Sequence, residues 1–125
     1  MMPATAAAAG PKLLGAAPSL TVPNVLRAAN FYRDVLGFQS DSADEWFAIL
    51  SRDGFSVLLW HGVAAPNGSW DACFWVDDVD ALHLELVGRG AVIQRPPETM
   101  PYGMREMTAR DGDEHILAFL QHVGS

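Results

Sequence analysis

Few residues in this chain have side chains that could do covalent chemistry, and their spacing matches no familiar catalytic motif. The sequence has no G-x-S-x-G segment, which would place a serine nucleophile on a tight turn, and no glycine-rich phosphate loop. Cys73 is the only cysteine, and no histidine lies close to it in the sequence to generate a thiolate. The residues therefore predict no covalent mechanism.

The four histidines are the other candidates for acid-base chemistry or metal binding. His83 lies in a predicted helix, His122 lies near the C-terminus, and His115 follows a turn. His61 ends a predicted strand, and a slip of that strand by one residue would turn its ring towards Asp71. We interpret all four as structural or solvated residues rather than metal ligands.

The elements that must position any site repeat along the chain. Leu20-Thr-Val-Pro-Asn-Val25 is matched 54 residues later by Phe74-Trp-Val-Asp-Asp-Val79. Each segment reads as an apolar strand that ends in a helix-capping residue, Asn24 or Asp78, and an amphipathic run follows each cap. Gly37 and Gly90 then stand where a helix C-terminus needs a residue that tolerates positive φ.

Both halves of the chain end in a predicted hairpin. An Asp-Gly pair lies between two strand-like runs at Asp53-Gly54 and again at Asp111-Gly112. The order in each half is one strand, one helix and three strands, so the sequence predicts an α+β fold of two tandem βαβββ units, about 14–68 and 69–125. A unit of about 55 residues has a small core, which predicts that the two units pack together as one domain.

Composition limits the possible partners and locations. Fifteen acidic residues against eight basic ones give a net charge of −7, which argues against nucleic acid as a partner. A single cysteine permits no intrachain disulfide, and no apolar run reaches the roughly 18 residues of a membrane span. We therefore expect a soluble, cytoplasmic protein in which an Ala-rich arm, residues 1–13, precedes a single domain at 14–125.

Three segments of the chain resemble one protein family. The segments are Asn30-Phe-Tyr-Arg-Asp-Val-Leu-Gly-Phe38, Val76-Asp-Asp-Val79, and Pro101-Tyr-Gly-Met-Arg-Glu-Met107 with the later Arg110-Asp-Gly. They resemble segments of the glyoxalase/bleomycin-resistance/dioxygenase (vicinal oxygen chelate) superfamily. The resemblance spans about Pro18 to Gln121 and is strongest to the bleomycin-resistance proteins, acidic chains that sequester a cationic drug. It implies cupped, mixed or antiparallel sheets with the helices outside, and a homodimer.

The resemblance also indicates where the enzymes of this superfamily hold a divalent metal. The first-strand ligand positions correspond to Ala17 and Asp71, and the last-strand positions correspond to Leu58 and Ala118. Alanine and leucine side chains cannot coordinate a metal, and a single carboxylate does not make a catalytic site. The chain is therefore expected to bind neither a metal nor another cofactor.

If strand faces alternate and these positions mark the concave face, a cleft of aromatic and polar side chains is predicted. Its expected ligand-binding residues are Phe47, Trp60, Asp71, Cys73, Trp75, Tyr102 and Arg105, with Ser19, Thr21, Ser56 and Met107 nearby. By resemblance, Tyr102 stands where an aromatic lines the drug groove of bleomycin-resistance proteins, and Cys73 stands where a larger aromatic is expected. The alternatives are that the tryptophans fill a core or a subunit interface and that Asp71 is a surface carboxylate.

These observations favour a metal-free protein that binds or sequesters an antibiotic-like small molecule, cationic or aromatic, over an enzyme. The alternative is a metal-dependent glyoxalase-like lyase or isomerase, or a dioxygenase, with an unorthodox site.

Overall fold

Two βαβββ units follow each other in the computed structural model, which describes residues 10–124. The first unit contains β1 (Ser19–Val22), α1 (Val25–Asp34), β2 (Gln39–Ala43), β3 (Phe47–Arg52) and β4 (Phe55–His61). The second contains β5 (Trp70–Trp75), α2 (Val79–Gly88), β6 (Val92–Thr99), β7 (Met104–Arg110) and β8 (Ile116–His122). The predicted fold class is confirmed. Of the predicted arm, residues 1–9 lie outside the described residues, and residues 10–13 form neither helix nor strand.

Each unit forms one four-stranded sheet of mixed direction. The strand orders are β1-β4-β3-β2 and β5-β8-β7-β6, with β1 parallel to β4 and β5 parallel to β8, while the other neighbours are antiparallel. The first strand of each unit, β1 or β5, therefore lies at a sheet edge with one side of its backbone unpaired. Such edges are places where another chain can add.

The helix boundaries follow from the predicted capping residues. Asn24 Oδ1 accepts a hydrogen bond from the backbone N–H of Arg27 at 2.9 Å, and Asp78 Oδ1 accepts one from Ala81 at 3.0 Å. Gly37 and Gly90 have φ angles of 77° and 87°, which let the chain turn back into the sheet after each helix. No helix within residues 10–124 is long and apolar enough to cross a membrane.

The two hairpins predicted at Asp-Gly pairs are built differently. At the first, Asp53 and Gly54 both have positive φ, 53° and 84°, as a tight two-residue turn requires. At the second, Gly112 does not have positive φ, and Glu114 takes that conformation instead, at 71°. The wider turn arises because the Asp111 carboxylate accepts backbone N–H bonds from Asp113 and His115.

The core lies between the helix-facing sides of the two sheets and continues from one unit to the other. Phe38 of the first unit packs edge-on against Phe74 of the second, with ring centroids 6.2 Å apart. Arg52 donates to Glu85 of α2 at 2.7 Å, which ties the units together at a partly buried position. Because the helix-facing sides meet in this core, each sheet turns its other face outwards.

Candidate functional site

The outer face of the first sheet, which we call the first open face, carries an aromatic pair. Leu20, Val57 and Leu59 are buried on the helix side, so strand alternation places their neighbours, including Phe47 and Trp60, on the open face. Those two residues are opposite each other in the β3–β4 ladder, and their ring centroids lie 4.4 Å apart. Trp60 remains 46% exposed. Ser19, Thr21 and Ser56 lie on the same face, as strand alternation predicts, and the role of these residues in ligand binding stays a prediction.

The outer face of the second sheet, the second open face, carries a second aromatic pair. The rings of Trp75 and His122 are parallel within 2°, with centroids 4.7 Å apart, and Trp75 is 59% exposed. Cys73, two residues before Trp75 on the same strand, is also exposed and lies beside Ala118 in the β5–β8 ladder. Tyr102 stands in the turn before β7 and is 63% exposed.

The predicted positions of Arg105 and Met107 on this face are wrong. Arg105 donates to both oxygens of Asp80 on α2, each at 2.9 Å, and Met107 is fully buried in the core. Both side chains therefore point to the helix side of β7. Because strand faces alternate with a period of two, the residues on the open face are Glu106 and Thr108.

Glu106 is the functional candidate that the sequence interpretation missed. Only 7% of the residue is exposed, and its Oε2 accepts a hydrogen bond from the Tyr102 hydroxyl at 2.6 Å. This bond is the main reason why the pKa of Tyr102 is raised. Burial raises the pKa of the Cys73 thiol, and the negative charge of Glu106 raises it further, so Cys73 is no activated nucleophile.

Asp71 is occupied by structural hydrogen bonds. Its Oδ1 accepts the backbone N–H of Asn67 at 3.1 Å, and its Oδ2 accepts that of Ile116 at 2.9 Å. The side chain lies at an irregularity in the β5–β8 pairing and joins the loop before β5 to the start of β8. This arrangement supports the alternative that Asp71 is a structural carboxylate.

The positions that correspond to metal ligands do not fit a divalent metal. Ala17, Leu58 and Ala118 offer no donor atom, and both oxygens of Asp71 already accept backbone hydrogen bonds. Among residues 10–124 there is no group of three or more His, Cys, Asp or Glu side chains arranged to hold an ion. No step of a mechanism can be derived through a metal at these positions.

The histidines lie apart from one another. His61 is exposed and packs edge-on against Trp46 at 4.9 Å, so its strand has not slipped towards Asp71. His83 is half-buried on α2, and His122 stacks on Trp75. His115 is buried, and its Nδ1 lies 2.8 Å from Asp111 Oδ2.

A cavity of about 1120 Å³ runs along the unpaired edge of β5. It is lined by Asp71, Cys73 and Trp75 of the predicted site, by Ala17 and Pro18 before β1, by Phe55 on β4, and by core residues such as Phe38, Leu82 and Phe119. Phe47, Trp60, Tyr102 and Arg105 do not line it. Within one chain, the predicted site therefore divides between the two open faces.

Comparisons with known proteins agree with this architecture. The model of the Glyoxalase/Bleomycin resistance protein/Dioxygenase superfamily matches residues 14–119. No curated protein gives a significant match. The fold is similar to the bleomycin-binding protein from bleomycin-producing Streptomyces verticillus, solved with copper(II)-bleomycin, at a TM-score of 0.75 and 29% identity over 93% of this chain and 100% of that one.

Two further solved structures share the fold at lower identity. The bleomycin resistance determinant encoded on the transposon Tn5 has a TM-score of 0.74 and 23% identity, with 86% of this chain and 96% of that chain covered. A glyoxalase-related enzyme from Clostridium phytofermentans has a TM-score of 0.78 and 18% identity, with 91% and 98% covered. Because the family match spans most of the chain and the βαβββ repeat is present, this protein belongs to the glyoxalase/bleomycin resistance protein/dioxygenase superfamily.

Proposed function

We propose that this protein binds an organic small molecule with an aromatic or cationic group and does so without a metal. The observation that carries the proposal is the pair of exposed tryptophans, Trp60 and Trp75, each held against a second ring on an open sheet face. Rings fixed in this way lose little conformational freedom when a flat ligand stacks on them. The non-fitting metal positions support binding rather than metal-dependent catalysis.

The comparisons support the choice of the first ligands to test. The similar Streptomyces verticillus protein is a bleomycin-binding protein that was solved with copper(II)-bleomycin. The net charge of −7 favours the approach of a cation. Bleomycin-type drugs and other aromatic antibiotics are therefore the first candidates, and antibiotic sequestration is the role that we propose for this protein.

Stacking is expected to dominate affinity, so Trp75→Ala should weaken binding by about tenfold or more. Asp71→Asn should change affinity by less than about threefold, since its carboxylate is committed to backbone N–H groups. Isothermal titration calorimetry with the drug panel checks this. Trp46→Ala is the matched control, because Trp46 is exposed but contacts His61 at the end of β4, away from the Trp75–His122 pair. Equal affinity of Trp75→Ala and the parent for every ligand bound would contradict the proposed site.

We further propose that two copies of the chain pair and bring the two open faces together into one cleft. The unpaired edges of β1 and β5 and the exposed Leu13, Leu14 and Phe55 support pairing, because dimers cover such surfaces. In one chain Trp60 and Trp75 lie on different faces, whereas in the proposed pair they would line the same cleft. A cytoplasmic location remains a prediction from the single cysteine.

Light scattering should give twice the 13.5 kDa mass of one chain. Phe55→Asp should shift the protein towards monomer, because Phe55 is exposed and lines the cavity beside β5. Leu84→Asp is the control, since Leu84 is equally apolar and exposed on α2 but does not line that cavity. A monomer mass across a wide concentration range would overturn the pairing.

A further inference from the structure

Glu106 is a buried carboxylate that no basic residue neutralises. The arginines of the neighbouring strands pair with other carboxylates: Arg95 with Glu98 at 3.0 Å, Arg105 with Asp80 at 2.9 Å, and Arg110 with Glu114 at 3.8 Å. Throughout residues 10–124, no Lys, Arg or His nitrogen lies within 4 Å of the Glu106 carboxylate. A carboxylate that is largely withdrawn from water without a cation beside it costs free energy.

The hydrogen bonds of Glu106 leave part of its capacity unused. Oε2 accepts from Tyr102, while Oε1 accepts no hydrogen bond from any residue that the structure describes and is not fully buried, so it can be reached from the solvent. Thr108, the next residue on the same face, does not compensate for this, because its hydroxyl donates to Gln94 Oε1. Oε1 therefore has capacity for a donor from outside the chain.

The surroundings of Glu106 indicate what kind of donor fits. Glu106 is opposite Glu98 in the β6–β7 ladder, and since Arg95 pairs with Glu98, Glu106 is the carboxylate there that has no paired cation. In the β8–β7 ladder its partner is Leu120, which in turn is paired with Trp75 on β5. The Trp75–His122 stack thus lies two strands from the carboxylate on the same open face. A ligand that binds Glu106 through a positive group could therefore place its apolar or aromatic part against the Trp75–His122 stack.

We propose that Glu106 and Tyr102 form a subsite for the protonated amine of the ligand, with Glu106 Oε1 as the acceptor and the Trp75–His122 stack as the platform for its ring. The subsite rests on the proposed binding function and specifies the ligand class as an arylalkylamine, a cation with at least one N–H donor and an attached aromatic ring. An ammonium N–H bonded to a buried carboxylate is stronger than a bond between neutral groups.

A pair of probes that differ mainly in charge tests the subsite. Tryptamine carries an ammonium, and tryptophol carries a hydroxyl in its place on the same indole. NMR titration of the parent protein should show tryptamine binding about tenfold more tightly, because its ammonium adds charge attraction to the hydrogen bond with the carboxylate, whereas the hydroxyl of tryptophol is a neutral donor. Glu106→Gln should remove this preference by weakening tryptamine binding much more than tryptophol binding. Glu98→Gln, at the exposed opposite position, should keep the preference.

A second measurement on the parent protein avoids dependence on how the variant folds. The NMR resonance of the Glu106 carboxyl carbon should shift clearly more with tryptamine than with tryptophol, whose donor is neutral. Equal binding of the two probes, or a preserved preference in Glu106→Gln, would overturn the amine subsite. If both probes bound equally and Trp75→Ala weakened both, the binding function would stand without the subsite. Binding of neither probe would overturn the subsite, while the drug panel would still decide the binding function.

Discussion

Asp111→Ala is expected to lower the free energy of unfolding by about 3–5 kcal/mol, the range for removing one partner of a buried charge pair. Asp111 Oδ2 accepts from the Tyr32 hydroxyl and lies 2.8 Å from His115 Nδ1, and Oδ1 accepts two backbone N–H groups. The side chains of Asp111 and His115 are only 1% and 3% exposed. Because Tyr32 lies on α1 and Asp111 follows β7, the cluster also joins the two units.

Asp113→Ala is the matched control, since it removes a carboxylate from the same turn. The Asp113 side chain is only 9% exposed, but its one ion pair is a 3.4 Å contact with Arg27, whose side chain is 66% exposed, so this pair is expected to contribute little. The pKa of Asp113 is raised by burial and by the charge of Asp111, so its charge is not favoured in the folded protein. Urea unfolding of the parent and both variants measures the difference. Similar losses in the two variants would contradict the role of Asp111 as the central acceptor.

The same cluster gives the stability a pH signature. The hydrogen bond with Asp111 raises the pKa of His115 above its usual 6.5, although burial opposes this. The stabilisation that comes from protonated His115 is therefore complete below about pH 6.5, and it is lost as the pH rises through the higher pKa that His115 has in the folded protein. The pKa of Asp111 is lowered, because bonds from His115, Tyr32 and Asp113 together outweigh the effect of burial.

The stabilisation that comes from ionised Asp111 is thus present above its usual pKa of 3.8, and it is lost as the pH falls through the lower pKa that Asp111 has in the folded protein. Between these limits the pair is fully charged. The pKa of Tyr32 is raised well above its usual value, first by burial and then by Asp111, which keeps its hydroxyl protonated as a donor.

The loss of unfolding free energy in Asp111→Ala relative to the parent, measured by urea unfolding at several pH values, should be largest near pH 4–6 and should shrink on the alkaline side. A deficit independent of pH would exclude the ion pair as its source.

The repeat in the sequence predicted the order of the elements, and the family resemblance implied how the sheets and helices are arranged. The 54-residue spacing of the strand and capping segments fixed the positions of both helices, because Asn24 and Asp78 act locally on the first turn that follows them. The alternation of strand faces likewise predicted that Phe47 and Trp60 lie on the open face, because β3 and β4 are joined by a tight turn that sets their register. These features depend on neighbours in the sequence.

The rest of the site could not be predicted, because it depends on contacts between distant residues. The β6–β7 pairing contains two irregularities, between Ile93 and Arg95 and between Arg95 and Glu98, so alternation could not be extended safely into β7. Glu106 was therefore not among the expected site residues. The Tyr32–Asp111 bond joins residues 79 positions apart, and local patterns contain no sign of it. The one available signal was the apolar spacing of Met107 and Ala109, which places Glu106 and Thr108 on the opposite face.

Met107→Ala tests this corrected register and should lower the free energy of unfolding by about 2–5 kcal/mol, the cost of a cavity at a fully buried methionine. Met104→Ala, on the same strand but at a half-buried position, should cost less than about 1 kcal/mol, because less apolar area returns to water. Thermal and urea unfolding provide both values. If Met107 instead faced the cleft, its truncation would weaken ligand binding and leave stability nearly unchanged. That result would return Arg105 to the open face and move Glu106 to the helix side, and the amine subsite would have to be abandoned with it.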